Sequence, residues 1–142
     1  MITASGNYKA LELAVDEAIY SIRIMSAKRR INLDEWRTFF LLDGDMEIIS
    51  HPRFLRELGN CFISNGVNDD LYQFLMVQIS RIDSYLRSRH INLTNGTGTD
   101  PLLYAKSKIN MAYERRKENK LRFLKIAFIV MIIINRIFYY SI

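Results

Sequence analysis

Apolar residues recur with helical spacing from near the start of this chain. Tyr8, Leu11, Val15, Ala18, Ile22 and Met25 follow a 3-4-3-4-3 pattern, which puts them on one face of a helix opened by Asn7 as its cap. Leu13, Tyr20 and Ile24 widen that surface, as for a helix contacted on more than one side. Lys28, Arg29 and Arg30 follow at the negative pole of the helix dipole. Asn32, with Glu35 three residues on, has the form of a capping box. It opens a short aromatic helix carrying Leu33, Trp36, Phe39 and Phe40. Asp43-Gly44 in LLDGDM predicts a turn. Pro52, after Ser50-His51, opens a third helix at a first-turn position where its missing N–H is harmless. Phe54, Leu55, Leu58, Cys61 and Phe62 form its inner face, and Asn65-Gly66 predicts a left-handed stop. Asn68, Asp69 and Asp70 start a fourth helix. It buries Leu71, Leu75, Ile79, Ile82 and Leu86 and pairs Asp83 with Arg87 one turn on.

A Gly/Thr-rich stretch, NLTNGTGT from Asn92 to Thr99, reads as a mobile loop. Asp100-Pro101 then opens a last helix, whose seam of Leu102, Ala105, Ile109 and Ala112 packs on the domain and lapses across Glu114 to Lys120. Beyond lies LRFLKIAFIVMIIINRIFYYSI, Leu121 to Ile142. Its longest uncharged part, Ile126 to Asn135, covers roughly 15 Å as a helix. A bilayer core of about 30 Å asks for roughly 20 residues, so a span must take in Lys125 and Arg136. Lys125 can snorkel to the headgroups along its own stem. Arg136 lies past the midpoint and must reach the far interface or a partner, while Tyr139 and Tyr140 suit the far boundary. Arg115, Arg116, Lys117, Lys120, Arg122 and Lys125 fall all round the helix at 100° per residue, a collar suited to passage through phosphate headgroups. The expectation is a membrane anchor over 121–142. A core helix or an interfacial helix are the other placements a segment of this length allows.

Charge strengthens that division. From Asp100 onward nine Lys/Arg stand against three Asp/Glu, net +6, whereas Met1 to Thr99 carries eleven against twelve, net −1. A nearly neutral folded part makes nucleic acid an unlikely partner, because such a partner calls for a basic folded surface. The single cysteine, Cys61, excludes an internal disulfide and suggests a reducing compartment. The N-terminus carries early charges and no apolar run of signal-peptide length. Positive charge beside the anchor predicts that the domain lies on the cytoplasmic or matrix-like side. On that side the glycosylation triplets at Asn92 and Asn95 are idle.

Candidate chemistry adds little. His51 and His90 lie in different elements without ligand-spaced neighbours, and read as a helix cap and a helix-end cation. Asp43, Asp45 and Glu47 alternate around Gly44, but Ile48 and Ile49 follow where a calcium loop needs oxygen ligands. No phosphate loop, nucleophile motif or zinc spacing occurs. No enzymatic activity, cofactor or metal is expected. Trp36 and Phe39 are expected in the core against the first helix; Trp36, Phe39 and Phe40 are the candidate partner surface if that cluster is exposed.

Asn65-Gly66-Val67-Asn68, leading into Leu71, Phe74 and Leu75 after FLRELGNCF and before a basic C-terminal anchor, resembles the first homology motif of the B-cell-lymphoma family of apoptosis regulators. That resemblance implies a groove binding partner helices. Asp69 and Asp70 stand where the family has Trp and Gly, and fewer helices follow than that fold needs.

The fold class read from the chain is all-α: about four helices in a domain over 1–90, a flexible loop over 91–100, a basic juxtamembrane helix over 101–120 and a transmembrane anchor over 121–142. The leading function is a non-enzymatic, membrane-anchored helical interaction protein, or a small subunit of a membrane complex, whose partners are membrane lipids and protein. The alternatives are an apoptosis-regulator-like groove binder and a soluble basic nucleic-acid-binding protein.

Overall fold

The computed structural model of the chain describes residues 4–43, 45–94 and 98–141. Six α-helices follow one another, α1 (Ala4–Ala27), α2 (Leu33–Thr38), α3 (Met46–Ile49), α4 (Pro52–Cys61), α5 (Asp69–Ser88) and α6 (Pro101–Ser141), with no β-strand among the described residues. The all-α expectation stands, and the last helix is long, at 41 residues.

The seams of the sequence become the core. Val15, Ala18, Ile22 and Met25 of α1 are buried, as are Leu71, Leu75, Ile79, Ile82 and Leu86 of α5 and Leu102, Ala105, Ile109 and Ala112 of α6. Two features of α1 depart from expectation. The helix already includes Asn7, which is therefore not its cap. Tyr8 is 65% exposed, and Leu13, Tyr20 and Ile24 are also exposed, so among the described residues no second element covers these side chains.

The side-chain caps hold where a short polar oxygen precedes the helix. Asn32 accepts from the Asp34 N–H at 3.0 Å, Asn68 from Leu71 at 2.8 Å and Asp100 from Leu102 at 2.9 Å. His51 caps α4 through Nδ1, which accepts from Arg53 N–H at 3.2 Å. The capping box at Asn32 is incomplete, because Glu35 forms an ion pair with Lys28. Gly66 does not adopt a positive φ. The Asn65 side chain instead donates to the Cys61 carbonyl at 2.8 Å and satisfies the end of α4.

After α2 the chain stays helical as far as Asp43, where the predicted turn begins. Residues Phe39–Asp43 widen into a π turn after α2, and Asp45 then caps α3 by accepting from Glu47 N–H at 2.8 Å. Gly44 lies outside the described residues, as do Asn95 to Thr97 of the glycine-rich loop with the second glycosylation triplet. The π turn delivers two consecutive aromatics to α4. Phe39 stacks on Phe54 at 5.9 Å, while Phe40 meets Phe54 edge-on at 6.1 Å and Phe74 at 6.0 Å.

α4 is the central strut, with α1 packed against it and the first third of α6 along it. Gly59 permits the close approach of α6: a Cβ there would stand 2.8 Å from the Tyr104 ring and 3.2 Å from the Ala105 Cα. α5 closes the bundle against α6, whose Leu102, Ala105, Ile109 and Ala112 join the core.

Candidate functional site

α6 leaves the bundle beside the N-terminus of α5, and a set of polar contacts fixes it there. Tyr113 stacks flat on Tyr72, with ring centroids 4.0 Å apart and planes 5° apart. Its hydroxyl donates to the Asp69 carboxylate at 2.6 Å, and the Tyr72 hydroxyl donates to the Asn110 side chain at 2.7 Å. One turn further on, Lys117 lies over the Tyr113 ring at 4.3 Å. The hydrogen bond to Asp69 raises the Tyr113 pKa, and the hydrogen bond to Tyr113 raises that of Lys117. Both groups therefore keep their protons through the neutral range. Arg115 donates to the Phe62 carbonyl at 2.9 Å and so satisfies the end of α4.

The basic collar is thus divided by the tertiary structure. Arg115 turns back onto the end of α4, and Lys117 onto the Tyr113 ring of its own helix. Arg116, Lys120, Arg122 and Lys125 are exposed and form no ion pair with any described residue. The two tyrosines that hold the junction were not singled out from the sequence. Tyr72 and Tyr113 lie 41 positions apart, and only the packing of α5 on α6 makes them a pair.

Past the junction the helix continues uncovered. From Leu121 to Tyr140 every residue is exposed except the half-buried Ala127, with Phe123 at 70% and Ile133 at 51%. Apolar side chains occupy all sides, and Arg136 stands among them without an ion-pair partner among the described residues. No helix among the described residues is long and apolar enough to cross a membrane, so a self-sufficient transmembrane anchor over 121–142 is not supported. The physical obstacle is the one visible in the sequence: Lys125, Asn135 and Arg136 break the apolar run.

The aromatic cluster, a candidate partner surface only if exposed, packs into or against the core. Trp36 is 0% exposed, Phe40 is buried and Phe39 half-buried. Trp36 meets Phe40 at 6.3 Å and Phe62 at 5.8 Å, which places it against the end of α4. Cys61 is half-buried, and burial pushes its thiol up. Asp45 and Glu47 serve the cap of α3, and among the described residues no group of three or more His, Cys, Asp or Glu side chains could hold a metal. His90 has a left-handed backbone, φ 56°, at the end of α5.

Comparison with known proteins adds no relative: no family model, no curated protein and no solved structure matches this chain.

Proposed function

We propose that the protein is a non-enzymatic helical interaction protein of a membrane, a small subunit whose C-terminal helix enters the bilayer beside a partner's helix. The single observation that carries this reading is the apolar, wholly uncovered surface of residues 121–140 on a helix fixed rigidly to a compact bundle. A helix that is apolar all round is stable only inside a membrane or a larger core.

Marginal apolarity favours a subunit over a lone anchor. Arg136 costs about 2.5–3.5 kcal/mol near the centre of a bilayer helix, and Asn135 beside it adds an amide in need of a partner. Each large apolar side chain transferred contributes about 1.5–3 kcal/mol, so the segment gains from leaving water yet carries two polar groups suited to a neighbouring helix. The exposed cations at the junction favour the domain on the cytoplasmic or matrix-like side.

Alkaline carbonate extraction of membranes from cells making the full chain tests the reading. The protein is expected to stay in the pellet and to co-purify in mild detergent with another membrane protein. Recovery of the full chain as a monodisperse monomer in the carbonate supernatant would overturn it.

A further inference from the structure

The bundle end from which α6 departs carries a second set of cations, contributed by a different part of the chain. The segment after α1 and the loop between α4 and α5 meet α6 there, around a shared concavity of about 560 Å³ lined by Arg29, Arg30, Gly66, Asn68 and Arg116. Arg29 and Arg30 are exposed, and neither they nor Arg116 form an ion pair with any described residue. A second concavity of about 420 Å³ adjoins it through Asn68 and Arg116, and is lined further along α6 by Lys120, Leu121 and Leu124. Cations of the folded domain and cations of the emerging helix thus form one basic surface, and the first residues of the apolar segment form its rim. Ile63, in the loop that borders this surface, is an exposed apolar side chain 46% accessible.

Of the acidic groups nearby, Glu114 and Glu118 flank Arg116 on α6 and are exposed, while two others are engaged. Glu35 is paired with Lys28, and the Asp69 carboxylate accepts from Tyr113. Depth along α6 is informative as well. Arg116 precedes Leu121 by five residues, roughly 7.5 Å at 1.5 Å per residue. The polar headgroup layer on each side of a bilayer is about 5–7 Å deep. With Leu121 at the hydrocarbon boundary, Arg116 stands at the outer edge of that layer, within reach of the lipid phosphates, and Arg29 and Arg30 line the same concavity.

We propose that Arg29, Arg30 and Arg116 form a docking face for anionic phospholipid headgroups, which seats the bundle against the membrane that α6 enters. This rests on the membrane reading above and adds to it a lipid class and a fixed orientation of the domain. A membrane is favoured over nucleic acid because the basic surface runs directly into the apolar helix, Leu121 and Leu124, which a polyanion in water has no means of covering.

The test compares binding of the full chain to phosphatidylcholine vesicles and to vesicles containing about one-third phosphatidylserine, by flotation. Each basic residue near an anionic surface strengthens binding about fivefold. The variant R29A/R30A/R116A is therefore expected to lose roughly 100-fold in affinity for the serine-containing vesicles, to bind phosphatidylcholine as the native chain does, and to keep its helical circular dichroism. The Lys variant R29K/R30K/R116K retains native binding to both. A triple Ala variant that binds serine-containing vesicles as the native chain does overturns this inference and leaves the membrane reading standing. A native chain that binds neither vesicle overturns both. Loss of duplex nucleic-acid binding in the triple Ala variant with vesicle binding intact also overturns the inference, and assigns the face to nucleic acid.

Discussion

Trp36 holds the aromatic centre of the domain and also carries an unsatisfied polar group. Its indole N–H is buried and finds no acceptor among the described residues. An orphaned buried donor costs about 1–3 kcal/mol, so the packing of the ring against Phe40 and Phe62 must outweigh that cost. Trp36→Ala is expected to destabilise by about 3–5 kcal/mol in urea unfolding. Trp36→Phe, which keeps an aromatic ring and removes the orphan, is expected to cost under about half of that. Equal losses for the two variants would mean that the N–H has a partner. His90 poses the opposite case. Its backbone is left-handed, and the Ile91 N–H returns to the Leu86 carbonyl at 2.9 Å while the His90 N–H bonds Arg87 at 3.1 Å. This is the glycine-type helix stop occupied by a residue with a Cβ. His90→Gly relieves that strain and is expected to raise stability by about 0.5–1 kcal/mol, read as a higher midpoint in thermal unfolding. No gain would show that the His90 side chain contributes as much as the strain costs.

At the scale of the element, α6 performs two tasks on one continuous helix. Up to Ala112 its narrow seam packs on α4 and α5, and from Leu121 to Tyr140 every side chain but the half-buried Ala127 is exposed. Tyr113 and Arg115 separate the two parts by fastening the helix to Asp69 and Phe62 at the point of departure. Arg136 is the residue that tests what the outer part does. Arg136→Leu makes the segment more apolar, so insertion into membranes is expected to be preserved or slightly better. If Arg136 pairs with an acidic or carbonyl group of a neighbouring subunit, the same variant loses that subunit in co-purification. Retained co-purification would mean that the arginine only reaches past Tyr139 and Tyr140 to the headgroups.

For the molecule as a whole, the core closes before the apolar segment begins. Among the described residues every buried one lies at or before Ala112, and Tyr113 and Arg115 tie the helix to Asp69 and Phe62 directly after it. Deletion of Leu121 to Ile142 is therefore expected to leave a helical domain that unfolds cooperatively, with stability changed by less than about 0.5 kcal/mol, as for surface changes. Loss of cooperative unfolding in the truncated chain would show that the outer helix folds back into the core. The open side of α1, with Leu13, Tyr20 and Ile24, and the outer half of α6 are apolar surfaces that the fold leaves exposed.

The helices and their inner faces were legible because a period of three to four residues is a local property, and α1, α4, α5 and the start of α6 bury nearly the residues their spacing marks. Side-chain caps at Asn32, His51, Asn68 and Asp100 were legible for the same reason: donor and acceptor lie within three residues. The sequence could not decide what depends on contacts between distant residues. Phe39 and Phe40 were read as part of a short aromatic helix, but its widening into a π turn over Phe39–Asp43, where both rings meet Phe54, was not legible. Six cations read as a ring on one helix were divided by Tyr113 and Phe62, which claim two of them. Arg29 and Arg30, which the sequence placed at a helix end, were carried to the side of Arg116 because α1 and α6 pack on the same α4. Periodicity fixes which side of a helix is apolar, but only packing decides which of those sides is covered.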